Sequence, residues 1–285
     1  MSTVPTTSTQ AQADRQHVAG SGRSLWSDAA ARLRHDRAAM LCLAVIAVYA
    51  VVAIVAPLAF SGWETSFNYD EVNQPPSWRH WLGTDIFGRG VLQETLLAMR
   101  TSMTVALMAN IIAVPLGMLL GAIAGYYGGW VDDVIVWLFT TFAAVPGIVR
   151  LIAINFAFLD KVLFAGHWFE INLDGMAGLY IALGITSWIG TCRLVRAETM
   201  KIRQLDYCLA ARAIGTGRFK TLLRHVLPNV SHIGIINFSL GFQGAIGAEV
   251  TLSYLGLGVK DAPSWGRMID AGKMDLLLGR WWELI

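Results

Sequence analysis

Between Ala39 and Phe60 the chain reads AMLCLAVIAVYAVVAIVAPLAF, 22 residues without a charged side chain. Coiled as an α-helix, this run reaches about 33 Å, enough to cross the hydrocarbon core of a bilayer. Four more apolar runs follow: Ser102–Tyr127, about Val134–Leu159, about Met176–Leu194, and one from after Pro228 to about Tyr254. Composition agrees. The 285 residues are 55% hydrophobic and only 15% charged, with a mean hydropathy of +0.50, where a soluble domain carries about a quarter charged residues. The expected fold is all-α, a polytopic transmembrane helical bundle. A net charge of +2 is too small to argue for nucleic acid.

The placement of charge sets the polarity. Arg15, Arg23, Arg32, Arg34 and Arg37 precede the first run. Arg193, Arg196, Lys201, Arg203, Arg212, Arg218, Lys220 and Arg224 lie between the fourth and fifth, against only Glu198 and Asp206. Four spans separate the two clusters, so they share a side, and excess Lys and Arg mark the cytoplasm. Residues 1–24, rich in Ser, Thr, Gln and Gly, read as a disordered cytoplasmic tail without a secretory signal. LWSDAAARLRHDRAAM follows, with Trp26, Ala30, Leu33 and Met40 at roughly helical spacing. It suits a basic anchor ahead of the span, or an amphipathic helix on the membrane surface. Cys42, Cys192 and Cys208 fall near the cytoplasmic face, where thiols stay reduced.

No H-E-x-x-H, G-x-S-x-G or Walker phosphate loop is present, and the six histidines show no metal-ligand spacing. The chain carries no catalytic constellation. Ionisable residues within the spans are few and therefore informative. Arg150 lies well along the third run, either snorkelling to the outer mouth or facing a polar pathway. Glu249, late in the fifth, needs a partner, and a hydrogen bond to a neighbouring helix is the favoured account. Pro115 and Pro146 should bend their helices. Gly117, Gly121 and Gly125 recur every four residues, a spacing that admits another backbone closely.

The segment LDYCLAARAIGTGRFKTLLRHVLPN, Leu205 to Asn229, is more structured than a connection needs. Leu205, Leu209 and Ala213 repeat at i, i+4, i+8, and Gly215 is placed to end that helix. Phe219, Leu222, Leu223 and Val226 repeat at i, i+3, i+4, i+7, with Arg218, Lys220, Thr221 and Arg224 on the other face. Pro228 suits the first turn of the next helix. The expectation is two short helices at an angle, with one apolar stripe and a basic rim. Such an elbow could lie on anionic lipid or enter a groove on a cytosolic partner.

AARAIGTGRFKTLLRHVLPN resembles the coupling loop of bacterial ABC importer permeases: an Ala-Ala pair, a glycine four residues later and a terminal Leu-Pro. HWLGTDIFGRGVLQETL from His80, GAIAGYYGGWVDD, and EVTLSYLGLGVKDAPSWGRMI from Glu249 resemble further motifs of the dipeptide/oligopeptide/nickel group, in its C-type subunit. The likeness spans roughly Ala30 to Trp282. Three departures stand out. Leu209 replaces the glutamate usual before the alanines, with Asp206 one turn earlier. Gly90 follows Arg89 where the family has aspartate. The family's sixth span would begin where GRWWELI ends, and a sixth span is therefore expected. HWFEINLDG, from His167, looks like an added outer-loop element without an assigned role.

The resemblance implies a type I ABC importer permease in the bacterial inner membrane, multi-pass, with its N-terminus cytoplasmic. The division implied is a tail at 1–24, an anchor and first span at 25–60, a periplasmic segment at 61–100, and a permease core at 101–285 with its coupling loop at 195–228. The chain would form half of a pathway for short peptides, with ATP and Mg held by partners rather than by this chain. Those partners would be a homologous second permease subunit, two ATPase subunits and an extracytoplasmic substrate-binding protein, with membrane lipid around this chain. Leu209, Ala210, Ala211, Gly215, Phe219, Leu222, Leu223 and Val226 are the implied coupling residues. The two alanines would give close contact and Gly215 the bend; the second stripe either holds its helix against the permease or fills the ATPase groove. A secondary transporter or channel without an ATPase is the alternative, as is a permease of the same group for nickel chelates or other small solutes.

Overall fold

The computed structural model describes residues 31, 33–158, 161–163, 171–173, 175–259 and 262–284. Most of the tail and anchor, including Trp26 and Ala30, lies outside them, as do 167–170 and 174 of the outer-loop element. Two compact units, Met1–Val51 and Val52–Ile285, divide the chain. Helix α1, Arg37–Ala59, is the first long apolar run. Asp36 caps it, its carboxylate accepting from the N–H groups of Ala38 and Ala39 at 3.0 and 3.2 Å.

Six elements position the site: α2 (Val91–Tyr127), α3 (Gly129–Ala144), α4 (Gly147–Phe158), α5 (Met176–Ile202), α6 (Asp206–Ala213) and α7, the continuous helical stretch Arg218–Tyr254. Between α4 and α5, Val162–Leu163 pairs antiparallel with Ile171–Asn172. A last helix, α8 (Trp265–Leu277), is capped by Ser264, whose hydroxyl accepts from Arg267 N–H. Among the described residues, four helices are long and apolar enough to cross a membrane, and a fifth crossing results if α3 and α4 count as one bent span.

Several boundaries differ from expectation. Helix α2 starts at Val91 rather than Ser102 and passes through Pro115 without ending. VLQETLLAMR is built of good helix formers, so the helix begins before the apolar run that hydropathy marks. The run expected to be one span at about 134–159 is two helices at 94°. Pro146 has no N–H to continue α3 and holds Val145 in extended backbone, φ −87° and ψ 130°. Helix α5 runs to Ile202, beyond the expected Leu194. The second elbow helix is not a short separate one, for it continues into the last span. A π-turn at Leu222–Val226 precedes Pro228, and the extra residue in that turn accommodates a proline that would clash with an ordinary i−4 carbonyl.

The core is the seam between α2 and α5, which run parallel. A Cβ on Gly117 would stand 2.6 Å from the carbonyl oxygen of Trp188, one on Gly121 2.5 Å from that of Cys192, and one on Gly125 2.6 Å from that of Arg196. Three helical turns thus meet backbone to backbone, as the glycine spacing predicted. In lipid, where no hydrophobic force drives helices together, such van der Waals contact holds a bundle. Helix α7 lies antiparallel on another side of α2, with Gly241 against Asn110 and Gly234 against Met118.

The connection between α1 and α2 is folded rather than open. Asp85, 6% exposed, accepts from the N–H groups of Phe87 and Arg89 and pairs with the Arg89 guanidinium at 2.8 Å. That guanidinium sits 4.2 Å from the centre of the Trp63 ring. Trp282 donates to the carbonyl of Thr84 and Trp265 to that of Thr95, each at 3.2 Å.

Candidate functional site

The elbow is built from Leu205 to Val226. Asp206 places a carboxylate in the first turn of α6, favourable beside the helix N-terminus. The helix closes in a Schellman motif. Thr216 N–H reaches Ala211 O and Gly215 N–H reaches Arg212 O, both at 3.0 Å, with Gly215 at φ +85°. That left-handed conformation is open to glycine and costly for other residues. Helix α7 begins just past Gly217, so four residues, 214–217, join the two helices.

The expected apolar stripe divides between two faces. Leu222, Val226 and Cys208 are buried and join Ala122, Tyr126, Val195 and Ile202 in a cluster that continues the α2–α5 seam, and Ala211 is buried as well. Leu209, Phe219 and Leu223 point outward, at 47%, 64% and 43% exposure, with Ile214 at 83%. Ala210 is exposed as well. The two alanines therefore do different things: Ala211 packs inward, and only Ala210 is free for a close outer contact.

Hydrogen bonds from arginine to backbone hold the elbow to the bundle. Arg212 donates to the Arg203 carbonyl at 2.9 Å, at the C-terminal end of α5. Arg203 donates to the carbonyls of Gly125 and Tyr126 at 2.9 and 3.4 Å, at the end of α2. Each cation satisfies carbonyls that a helix end leaves open. Arg196 grips both oxygens of Asp132 at 2.5 and 2.6 Å, fixing the start of α3 to α5. A cavity of about 330 Å³ lies beneath the elbow, among Tyr127, Arg203, Arg212 and Arg218. Burial pushes the Cys208 thiol above its ordinary pKa, which suits a packing role rather than a reactive one.

The two intramembrane ionisable residues lie apart from the elbow. Glu249 is fully buried, accepting from the hydroxyls of Ser102 at 2.6 Å and Ser253 at 2.7 Å. Its bond to Ser102 on α2 is the interhelical contact expected of it. Arg150 donates to the carbonyl of Phe142, to that of Val145 at 3.3 Å and to that of Thr186 at 3.3 Å. It thus satisfies carbonyls freed where α3 breaks and ties the break to α5. Among the described residues, no group of three His, Cys, Asp or Glu is placed to hold a metal.

Sequence reasoning missed Arg203, Arg212 and Ile214. The arginines counted only as charge marking a side, and nothing in their spacing announces backbone carbonyls as partners. Ile214 stood outside both periodic stripes because it is the last residue before the glycine turn. Ser102 and Ser253 were missed too, although Ser253 lies four residues after Glu249, on the same helical face.

Comparison with known proteins accounts for this arrangement. Residues 117–277 match the family model of the binding-protein-dependent transport system inner membrane component. Residues 24–76 match that of the N-terminal TM domain of oligopeptide transport permease C. The chain is 32% identical over 263 residues to the dipeptide transport system permease protein of Bacillus subtilis, covering 92% of this chain and 78% of that one. It is 32% identical over 271 residues to the oligopeptide transport system permease protein of the same organism, covering 94% and 84%. It is 33% identical over 216 residues to the glutathione transport system permease protein of Pectobacterium atrosepticum, covering 75% and 67%. With its apolar crossings, glycine seam and tethered elbow, the chain belongs to the family of inner-membrane components of binding-protein-dependent transport systems.

Proposed function

We propose that this chain forms half of the translocation pathway of an ATP-driven importer of short peptides, and that its elbow is the handle on which a separate ATPase subunit pulls. The relatives named for dipeptides, oligopeptides and glutathione, itself a tripeptide, support peptide cargo. One observation carries the handle: Leu209, Ile214, Phe219 and Leu223 point outward from an elbow whose other face is packed and whose helix is tied by Arg212 and Arg203 to the ends of α5 and α2. Apolar side chains on a mount that stiff suit insertion into a protein groove. The basic rim belongs on the cytoplasmic side, which puts residues 1–24 and the 195–228 loop inside and 61–100 outside.

ATP and Mg would bind between two such ATPase subunits, not on this chain. Their closure would move the elbow, and the tethers would pass the displacement to α2 and α5 as one body. Alternating access then follows from rigid-body motion driven by the different affinity of the two states for ATP. A homologous second permease subunit would complete the pathway, and an extracytoplasmic binding protein would deliver cargo.

Affinity purification of the full chain from membranes tests the handle. Nucleotide-binding subunits should copurify, and a cysteine placed at Phe219 should crosslink to one of them. A chain that purifies without them, with position 219 labelled instead by lipid-soluble probes, would return the elbow to the membrane surface and favour a channel or secondary carrier.

A further inference from the structure

Arg150 is held at an unusual place. Helix α3 ends at Ala144, about 24 Å along from its start, so the break at Pro146 falls within the thickness of a bilayer core. A cation at that depth faces protein or water rather than lipid. A cavity of about 410 Å³ opens here, lined by Arg150 together with Gly147, Thr186, Ser187, Gly190 and Ala248. None of the side chains lining it is acidic. Small residues, Ala143, Gly190 and Ala248 among them, share its wall with larger apolar ones, Leu151, Leu183 and Ile189.

The guanidinium is only partly occupied. Nη1 donates to the Phe142 and Val145 carbonyls and Nη2 to that of Thr186. Nε is shielded from water and has no hydrogen-bond partner. Arg150 thus stands fixed and charged at the edge of the cavity. Its three bonds to carbonyls fix its position without neutralising its charge.

We propose that Arg150 recognises the carboxylate of cargo in transit, its guanidinium charge drawing the free C-terminus of a peptide into the cavity it lines. This rests on the pathway reading and adds to it a recognition residue and the chemical class recognised. The selectivity is for an anionic terminus over a neutral one, because the cavity offers one positive charge and no compensating acid.

Uptake of radiolabelled trialanine and of trialanine amide should be compared in cells carrying the complete transporter, with membrane abundance of each variant measured. Arg150→Gln should lower uptake of the free acid about tenfold or more, as expected for losing a charge-assisted hydrogen bond, while changing amide uptake by no more than about threefold. Arg150→Lys should restore much of the free-acid uptake. Equal loss of both substrates would mean that Arg150 only supports the helix break, and loss of neither would mean that it touches no cargo; each overturns the proposal. Wild-type uptake of neither peptide would overturn the peptide reading itself, and this assignment with it.

Discussion

The α2–α5 seam and the elbow are both built around glycine, and they use it oppositely. In the seam, Gly117, Gly121 and Gly125 remove side chains so that α5 carbonyls can sit where Cβ atoms would be. In the elbow, nothing approaches Gly215, and its value lies in a backbone angle of φ +85°. The seam contains no exposed apolar surface to offer a partner. The elbow leaves Ile214, Phe219, Leu209 and Leu223 uncovered. The contrast separates what holds this protein together from what it leaves uncovered: close packing comes from missing side chains, and the exposed apolar face from side chains left without cover.

The sharpest way to break that contrast is Gly121→Leu. Its side chain would be driven against the Cys192 carbonyl and Val195, where backbone cannot yield. The expected cost is about 3 kcal/mol, read as loss of folded protein from the membrane and a lowered melting temperature of the purified assembly. Next is Gly215→Pro. Proline holds φ near −65° and has no N–H for Arg212 O, so the Schellman turn is lost. Membrane insertion should be normal and transport absent; retained substrate-stimulated ATP hydrolysis in the assembled complex would refute the lever. The double substitution Leu209→Asp with Phe219→Asp alters only exposed positions. Stability should stay within about 0.5 kcal/mol, while coupled ATP hydrolysis falls at least about tenfold, since two charges would be buried in the proposed groove.

The smallest effect is expected far from both regions. Gly90 precedes α2 at φ −70° and ψ 124° without a side-chain cap, and a Cβ there meets only the Gln93 side chain, at 3.4 Å. Gly90→Asp should cap the helix and stabilise the protein by a few tenths of a kcal/mol, seen as a slight rise in melting temperature with unchanged transport. A fall instead would show that the folded connection before α2 needs an uncharged residue there.

Legibility followed the range of the interaction. The crossings, the glycine seam and the Gly215 turn depend on residues three or four apart, or on a single backbone angle, so their signals are local. The partner of Glu249 was expected in kind but not in name, because Ser102 lies 147 residues away. The elbow stripe was visible as a period, yet periodicity gives an angular position on a helix and no information about which side another helix will cover. The broken span was legible at Pro146 as a bend; its 94° angle depends on Arg150 and on α5 beside it.

Residue order alone established a multi-pass membrane bundle, an elbow after α5 and the absence of a local catalytic motif, because chain-local hydropathy and glycine spacing carry those facts. Only the tertiary structure decided that Leu222 and Val226 face the bundle while Phe219 and Leu223 face away, that arginines tie the elbow to two helix ends, and that Arg150 borders a cavity. Those outcomes rest on contacts between residues far apart in the chain, and they exist only once α2, α5 and α7 have packed together.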